Sequence, residues 1–408
     1  MSRMPFEIAV LVAGLWGRVF LAHAQAAPLV IETVTVGNPG NTGDPIQFQG
    51  VFGAVSYVFA IGKHEVAAGQ YTAFLNTVAA TDRYGLYDTR MWTHVQGCKI
   101  ARIGSPGSYA YSVAPDWANR PVNFISWGDA ARFANWLHNG QPAGTTDLST
   151  TEDGSYFLNG KQTDWDLEGV VREPDATWVI PTENEWYKAA YYDGATGIYW
   201  GFPTGTNSGM SSFLVDPDPG NNATFRPFNG TYTIGPPYYR TEVGAHENSA
   251  SAYGAFDMEG NVMEFNETVP EPDLRGIRGG SWIGDLVGKW GRIMDMHSSD
   301  EYGDLGFRVA TLGSTVGVGP RSSTLSFSLR GANPVRGSAT FVFDLQQVSW
   351  VTLEVFDVTG RRVATLANGV MEPGAHEARW TAPGAPGVYF ALLRAMGETR
   401  RINTIVMR

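Results

Sequence analysis

The chain has 408 residues, 43% of them hydrophobic and 17% charged, which permits sizeable cores and excludes disorder as its dominant state. Its net charge of −11 argues against nucleic acid as a partner, because phosphate contacts need clustered Lys and Arg. A single cysteine, Cys98, excludes an intramolecular disulfide, a CxxC redox pair and a cysteine-based zinc cluster; a small buried residue is expected there.

In chain order, Arg3, the apolar run Ile8–Trp16 and the small residues Ala22-His23-Ala24 predict a signal peptide over residues 1–24. No later apolar run reaches the length of a membrane span, so none is expected in the mature chain. Residues 25–312 form an acidic body. The abundance of glycine, tryptophan and tyrosine predicts many turns and short irregular elements around aromatic anchors. Tyr71, Phe74, Leu75 and Val78 recur at helical spacing after Glu65. Ser126 with Asp129 reads as an N-cap leading into Ala130, Phe133, Ala134 and Leu137. Thr182-Glu183-Asn184-Glu185 reads as a capping box before Trp186, Ala189 and Ala190. The stretches Gly140–Thr177 and Gly201–Val243 are long for loops and need packing, cations or a function to hold them.

Residues 313–324, beginning with the small-residue run Gly313–Pro320, predict a linker. Residues 325–408 switch to period-two runs: Thr340–Leu345, Trp350–Phe356, Arg362–Leu366, His376–Trp380 and Val388–Leu393. Gly360, Gly369 and Pro373-Gly374 punctuate them, and arginine outnumbers acid there. Short strands at this density predict an all-β, immunoglobulin-like sandwich without its disulfide.

Five segments carry a more specific signal. Asn119–Trp127 (NRPVNFISW), Ile180–Trp186 (IPTENEW), Tyr253–Phe265 (YGAFDMEGNVMEF), Arg278–Trp282 (RGGSW) and Gly306-Phe307-Arg308 occur in this order. Together they resemble the signature segments of the formylglycine-generating enzyme (sulfatase-modifying factor) family. The resemblance implies an α+β fold related to C-type lectins, with much irregular structure. Residues 325–408 resemble the Ig-like domain of the flagellar hook-capping protein and the sorting domains of type IX secretion. The residues that carry this are Asn333-Pro334, Val355–Arg361, Gly387–Phe390 and the end Arg400-Arg401 with Ile405-Val406. That implies export to the medium or the cell surface.

The family's enzymes oxidise a substrate cysteine to formylglycine with copper held by two of their own cysteines, soft thiolates selecting a soft metal. Carried over without gaps from Gly279-Gly280-Ser281, those positions fall on Gly284 and Lys289, which supply no thiolate. No catalytic residue and no copper site is therefore expected. An iron-dependent sulfoxide-forming branch needs a His-rich helical domain. Here His23, His64, His94, His138, His246, His297 and His376 are scattered, so no iron site is expected either. The residues after Ser281 do not form a hydrolase elbow.

The resemblance also implies calcium, held by Asp257, the carbonyls of Gly260 and Val262, and Glu264, hard oxygen ligands in a tight loop. A second calcium site would begin at Asn222 with the carbonyl of Ala223. The bland alternative is that Asp257 caps a turn and Glu264 pairs with an arginine; for Arg278 and Arg308, structural ion pairs are expected. The expectation is an exported or surface-displayed binding or structural module, with the region Gly201–Arg240 as a ligand surface for an unidentified extracellular partner. The alternative is a cysteine-oxidising enzyme with a departed active site.

Overall fold

A computed structural model describes residues 28–47, 49–284, 288–291, 294–312, 325–330, 333–345, 349–372, 374–382, 386–395 and 398–407. The predicted signal peptide and linker lie outside the described residues.

The three expected helices form, the first where its spacing predicts and the other two where their caps predict. Ala68–Val78 buries Tyr71, Phe74, Leu75 and Val78, the stripe read from the spacing. Trp127–His138 starts at Ser126, whose Oγ accepts from Asp129 N at 3.1 Å, while Asp129 Oδ2 accepts from Ser126 N at 2.9 Å. Glu183–Tyr191 has the same reciprocal box: Thr182 Oγ1 accepts from Glu185 N at 3.1 Å and Glu185 Oε2 accepts from Thr182 N at 2.7 Å. Each box satisfies amides that would otherwise be orphaned at a helix start.

Two four-stranded sheets frame these helices. One has the order Thr33–Val36, Phe59–Gly62, Ala310–Leu312, Trp178–Val179; the other has Met294–His297, Leu274–Arg278, Met263–Phe265, Leu305–Gly306. The core between them is aromatic. Phe133 lies 5.2 Å from Phe74 and 5.4 Å from Phe307 between ring centroids, both edge to face. Such packing adds to area burial and fixes relative orientation.

Polar side chains hold the long irregular stretches, which have no ladder of their own. In Gly140–Thr177, Asn135 Nδ2 donates to the carbonyls of Thr151 and Tyr156 at 2.7 Å each. Arg132 Nε reaches Glu152 Oε1 at 2.7 Å, with both side chains buried. Arg275 Nη2 caps the carbonyls of Leu167 and Val170, at the end of the short helix Asp164–Glu168. These bonds satisfy backbone groups that the loop itself cannot pair.

The described elements after residue 325 are all strands. Ser326–Arg330, Ser338–Leu345 and Gly374–Thr381 make one sheet. Val335–Arg336, Glu398–Met407, Gly387–Ala395, Ser349–Asp357 and Arg362–Met371, in that order, make another. The five period-two runs all fall inside these strands. Ser338–Leu345 alternates strictly, with Ala339, Phe341, Phe343 and Leu345 buried. They share one apolar core with Val351, Leu353 and Val355 of the other sheet. Period-two burial of this kind is what one covered sheet face requires.

Candidate functional site

The strand Met263–Phe265 is the hub of the first half. It runs antiparallel to Leu274–Arg278, with Glu264 opposite Arg278, and parallel to Leu305–Gly306. The loop leading into it turns through positive φ at Asp257 (54°), Gly260 (85°) and Asn261 (58°). Gly260 N donates to Gly279 O and Asn261 N to Thr224 O, both at 2.7 Å. A Cβ on Gly260 would collide with the Thr224 carbonyl, so this loop needs glycine for both its φ and its close approach.

Glu264 is fully buried, and both of its oxygens are taken. Oε2 accepts from Arg308 Nε at 2.5 Å and from Trp186 Nε1 at 2.8 Å; Oε1 accepts from Arg308 Nη2 at 2.5 Å. The same guanidinium donates to the carbonyls of Gly62, Phe256 and Asp257. A carboxylate committed in this bidentate way is a poor ligand for a further cation. The structure thus brings Asp257 and Glu264 together around Arg308, and Arg278 pairs in turn with Glu183, Nε to Oε1 at 2.7 Å.

Asp257 differs from Glu264. Its Oδ2 accepts from Gly244 N at 2.6 Å, and burial pushes its carboxyl up to about 6. The sequence reading missed a third acid: Glu65, which accepts from Val262 N at 3.2 Å and from Asn261 Nδ2 at 3.0 Å. Burial, then the carboxylates of Asp257 and Glu264, push Glu65 well above the usual range. Three acids therefore share one guanidinium. Acids enclosed in this way favour their protonated forms. Among the described residues, no group of three or more His, Cys, Asp and Glu side chains is arranged to hold a metal by itself.

Asn222 sits in a separate network. Its Nδ2 donates to Asp218 Oδ1 at 2.5 Å and its N donates to Ser249 Oγ at 2.9 Å. Asp218 also accepts from Asn248 N and Ser249 Oγ. The acid beside Asn222 is thus Asp218, four residues upstream. An Asp-x-x-x-Asn spacing in a glycine-rich turn was the available signal.

Beyond the Gly279-Gly280 turn, Trp282 is buried, with its ring 4.8 Å from Tyr239 and 5.6 Å from Tyr232. Gly284 follows, with open space where a side chain would stand. Lys289 lies in the turn Gly288–Trp290, its Nζ 2.9 Å from both Asp44 Oδ2 and the Tyr199 carbonyl. The same Asp44 oxygen accepts from Tyr187 Oη at 2.8 Å. Cys98 is fully buried, Sγ against the Asn123 carbonyl at 4.0 Å, and burial raises its thiol pKa. A neutral, enclosed thiol is neither a nucleophile nor a ready metal ligand.

Comparison with known proteins agrees with this arrangement of motifs. No curated protein sequence matches the chain. The solved structure of Treponema denticola variable protein 1 aligns over 68% of this chain and 94% of its own, with 18% identity and a TM-score of 0.40. The family model of the sulfatase-modifying factor enzyme 1-like domain matches residues 54–312, which takes in all five signature segments. Through that stretch, the chain belongs to the sulfatase-modifying factor enzyme 1-like family.

Proposed function

We propose that the protein is an exported binding or structural module on this family's scaffold and does not oxidise cysteine. One observation carries the reading. At the two positions where the resemblance calls for thiolates, Gly284 has no side chain and Lys289 is bound to Asp44. The chain's one thiol, Cys98, is sealed in the core. A cationic ammonium is the opposite of what a soft-metal site needs.

In this reading the body works by its surface. The Gly201–Arg240 region exposes Phe213 and Phe228, at 73% and 83%, and also carries Tyr232 and Tyr239, which pack on Trp282. Exposed aromatic side chains on irregular loops suit recognition of an extracellular partner. Calcium enters as a stabiliser held by Asp257 and the carbonyls of Gly260 and Val262, with Glu264 contributing charge only through Arg308. The strands after residue 325 are read as an Ig-like attachment or sorting domain, which goes with the expected secretion. No described helix is long and apolar enough to cross a membrane.

The test is direct. Purified protein is incubated with copper, oxygen, a reductant and a sulfatase-motif peptide bearing one cysteine. The peptide mass is expected to stay unchanged; loss of the thiol with gain of an aldehyde would overturn the proposal.

A further inference from the structure

The two halves of the chain meet at a seam. Arg394, on the strand Gly387–Ala395, places Nη2 2.7 Å from Asp153 Oδ1 and its guanidinium 4.6 Å from the Phe157 ring centre. Glu173 and Glu354 lie 3.9 Å from the same guanidinium, and Phe157 meets Phe356 at 5.7 Å between centroids. An enclosed arginine among three acids and an aromatic face ties the halves together.

Beside the seam, two turns meet at a cleft of about 630 Å³. Asn159 and Gly160 come from one half, Thr359 and Gly360 from the other. The turns touch: a Cβ on Gly360 would lie 2.8 Å from Asn159 Oδ1, and the φ of Gly360 is 79°, so glycine permits this approach. Arg83 of the first half lines the cleft together with Arg361 and Arg362 of the second, and among the described residues no carboxylate lines it. We propose that this cleft binds a tetrahedral oxyanion, the sulfate or phosphate ester group of a small molecule.

Charge comes first. The chain carries −11 overall, yet the charged side chains lining this cleft are all guanidiniums. Arg83 is exposed, lies over the face of Tyr84 and enters no ion pair among the described residues. Arg361 gives Nε to Asp357 at 3.1 Å and Arg362 gives Nη1 to Glu354 at 2.5 Å, so each keeps further N–H groups for a ligand. Their acids are already committed. Asp357 also accepts from Thr359 N, Thr359 Oγ1 and Arg361 N, and Glu354 also faces Arg394.

Repulsion is the second observation. Lys161 sits between the lining residues Gly160 and Gln162 and is in no ion pair among the described residues. Burial lowers the pKa of its ammonium; Asp166 opposes that, the Arg362 guanidinium adds to it, and Glu173 opposes it again. Cations of the two halves are therefore near enough to disfavour each other, a cost that a bound anion would offset. Shape comes third. A guanidinium presents a planar fork of donors, and a group with three terminal oxygens can engage three forks, which a carboxylate with two cannot. A long polyanion would run onto the acidic body around the cleft, which favours a small ester over nucleic acid.

The full chain should be titrated at low salt with inorganic sulfate, inorganic phosphate, galactose 6-sulfate and glucose 6-phosphate, with glucuronate as the carboxylate control, read by calorimetry. At least one of the two esters is expected to bind saturably with Kd below about 1 mM, and the pair distinguishes a sulfate from a phosphate source. Arg83→Gln and Arg361→Gln should each weaken that binding about tenfold, the value of one lost charged hydrogen bond. Arg336→Gln, at the far edge of the five-stranded sheet, changes the net charge equally and should leave it unmoved. Arg83→Gln removes no ion pair, so its melting temperature should match the parent's and misfolding cannot mimic the result. Binding of the inorganic ions but of neither ester would mean an adventitious ion only. That outcome, glucuronate binding as tightly as the esters, no saturable binding at all, or affinity unmoved in both cleft variants overturns the proposal. The site shares no residue with Gly201–Arg240, and the result is independent of whether cysteine is oxidised.

Discussion

Two neighbouring regions of the family domain have fared differently. Around Met263–Phe265 the polar machinery is complete: Glu264 is clamped by Arg308, and the glycine turn at 260 is locked to Thr224 and Gly279. Around Gly284 and Lys289 the constraints are looser: among the described residues nothing lies within 4 Å of a side chain at Gly284, and Lys289 serves an ion pair with Asp44. The difference teaches which parts of a scaffold physics protects. A buried carboxylate cannot lose its arginine without a large penalty, whereas a residue whose side chain meets open space is free to vary.

The comparison breaks most visibly at Arg308. Arg308→Met leaves the buried Glu264 and Glu65, with the partly buried Asp257 beside them, without their shared cation. A loss of about 3–5 kcal/mol is expected, read by urea denaturation. Adding Glu264→Leu should recover part of that loss, because it removes the uncompensated charge. Equal stability of the single variant and the parent would mean that the clamp is not what preserves this region.

Next in size is the titration of Asp257. Its carboxyl sits at about 6 in the fold against an ordinary value of 3.8. The folded state thus binds its proton more tightly, so this contribution is fully present below pH 3.8 and is lost as pH rises through about 6. By linkage the change is about 2 kcal/mol after allowing for relaxation. His64, beside Phe256, opposes it: burial lowers its pKa from 6.5 to about 4, so its contribution is present above 6.5 and lost on acidification. The two contributions oppose each other, and Asp257→Asn should steepen the loss of stability on acidification relative to the parent. Calcium bound at Asp257 would displace the proton, so saturating calcium should raise the melting temperature at about pH 7 and chelator should lower it. If chelator and Asp257→Asn both leave melting unmoved, the cation assignment fails.

What the sequence displayed of all this follows a physical line. The helix at Trp127–His138 and the strand Ser338–Leu345 were legible because cap and period are local: Ser126 and Asp129 are three residues apart, and burial alternates residue by residue. The five signature segments exposed the family for the same reason, each being short and contiguous. Glu65 was not legible. Its partners Asn261 and Val262 are nearly two hundred residues away, and an acid before an apolar run reads as a solvated helix start until the fold encloses it. The seam at Arg394 was hidden likewise, since one arginine in a basic segment gives no hint of Asp153.

A smaller effect is expected at Lys289. Lys289→Ala removes the pair with Asp44, but Tyr187 still donates to that carboxylate. The cost should be about 1–2 kcal/mol and depend little on salt, because the pair is largely enclosed while the carboxylate keeps a donor. A cost as large as that of Arg308→Met would show that the lysine is a structural replacement under strong constraint.

The smallest expected effect is the sharpest test of the contrast. At Gly284 a methyl group would find nothing within 4 Å, and the residue does not need the left-handed backbone that other glycines here adopt. Gly284→Ala therefore meets no clash and relieves no bond, while it reduces the freedom of the unfolded chain; stability should change by less than about 0.5 kcal/mol. Gly260→Ala, a few residues from Glu264, faces both the Thr224 carbonyl and a φ of 85°, and should lose several times as much. Two glycine-to-alanine changes in adjoining motifs of one domain would then differ for a reason visible in the packing: one glycine is required by the fold, and the other stands where the described residues leave room for a side chain.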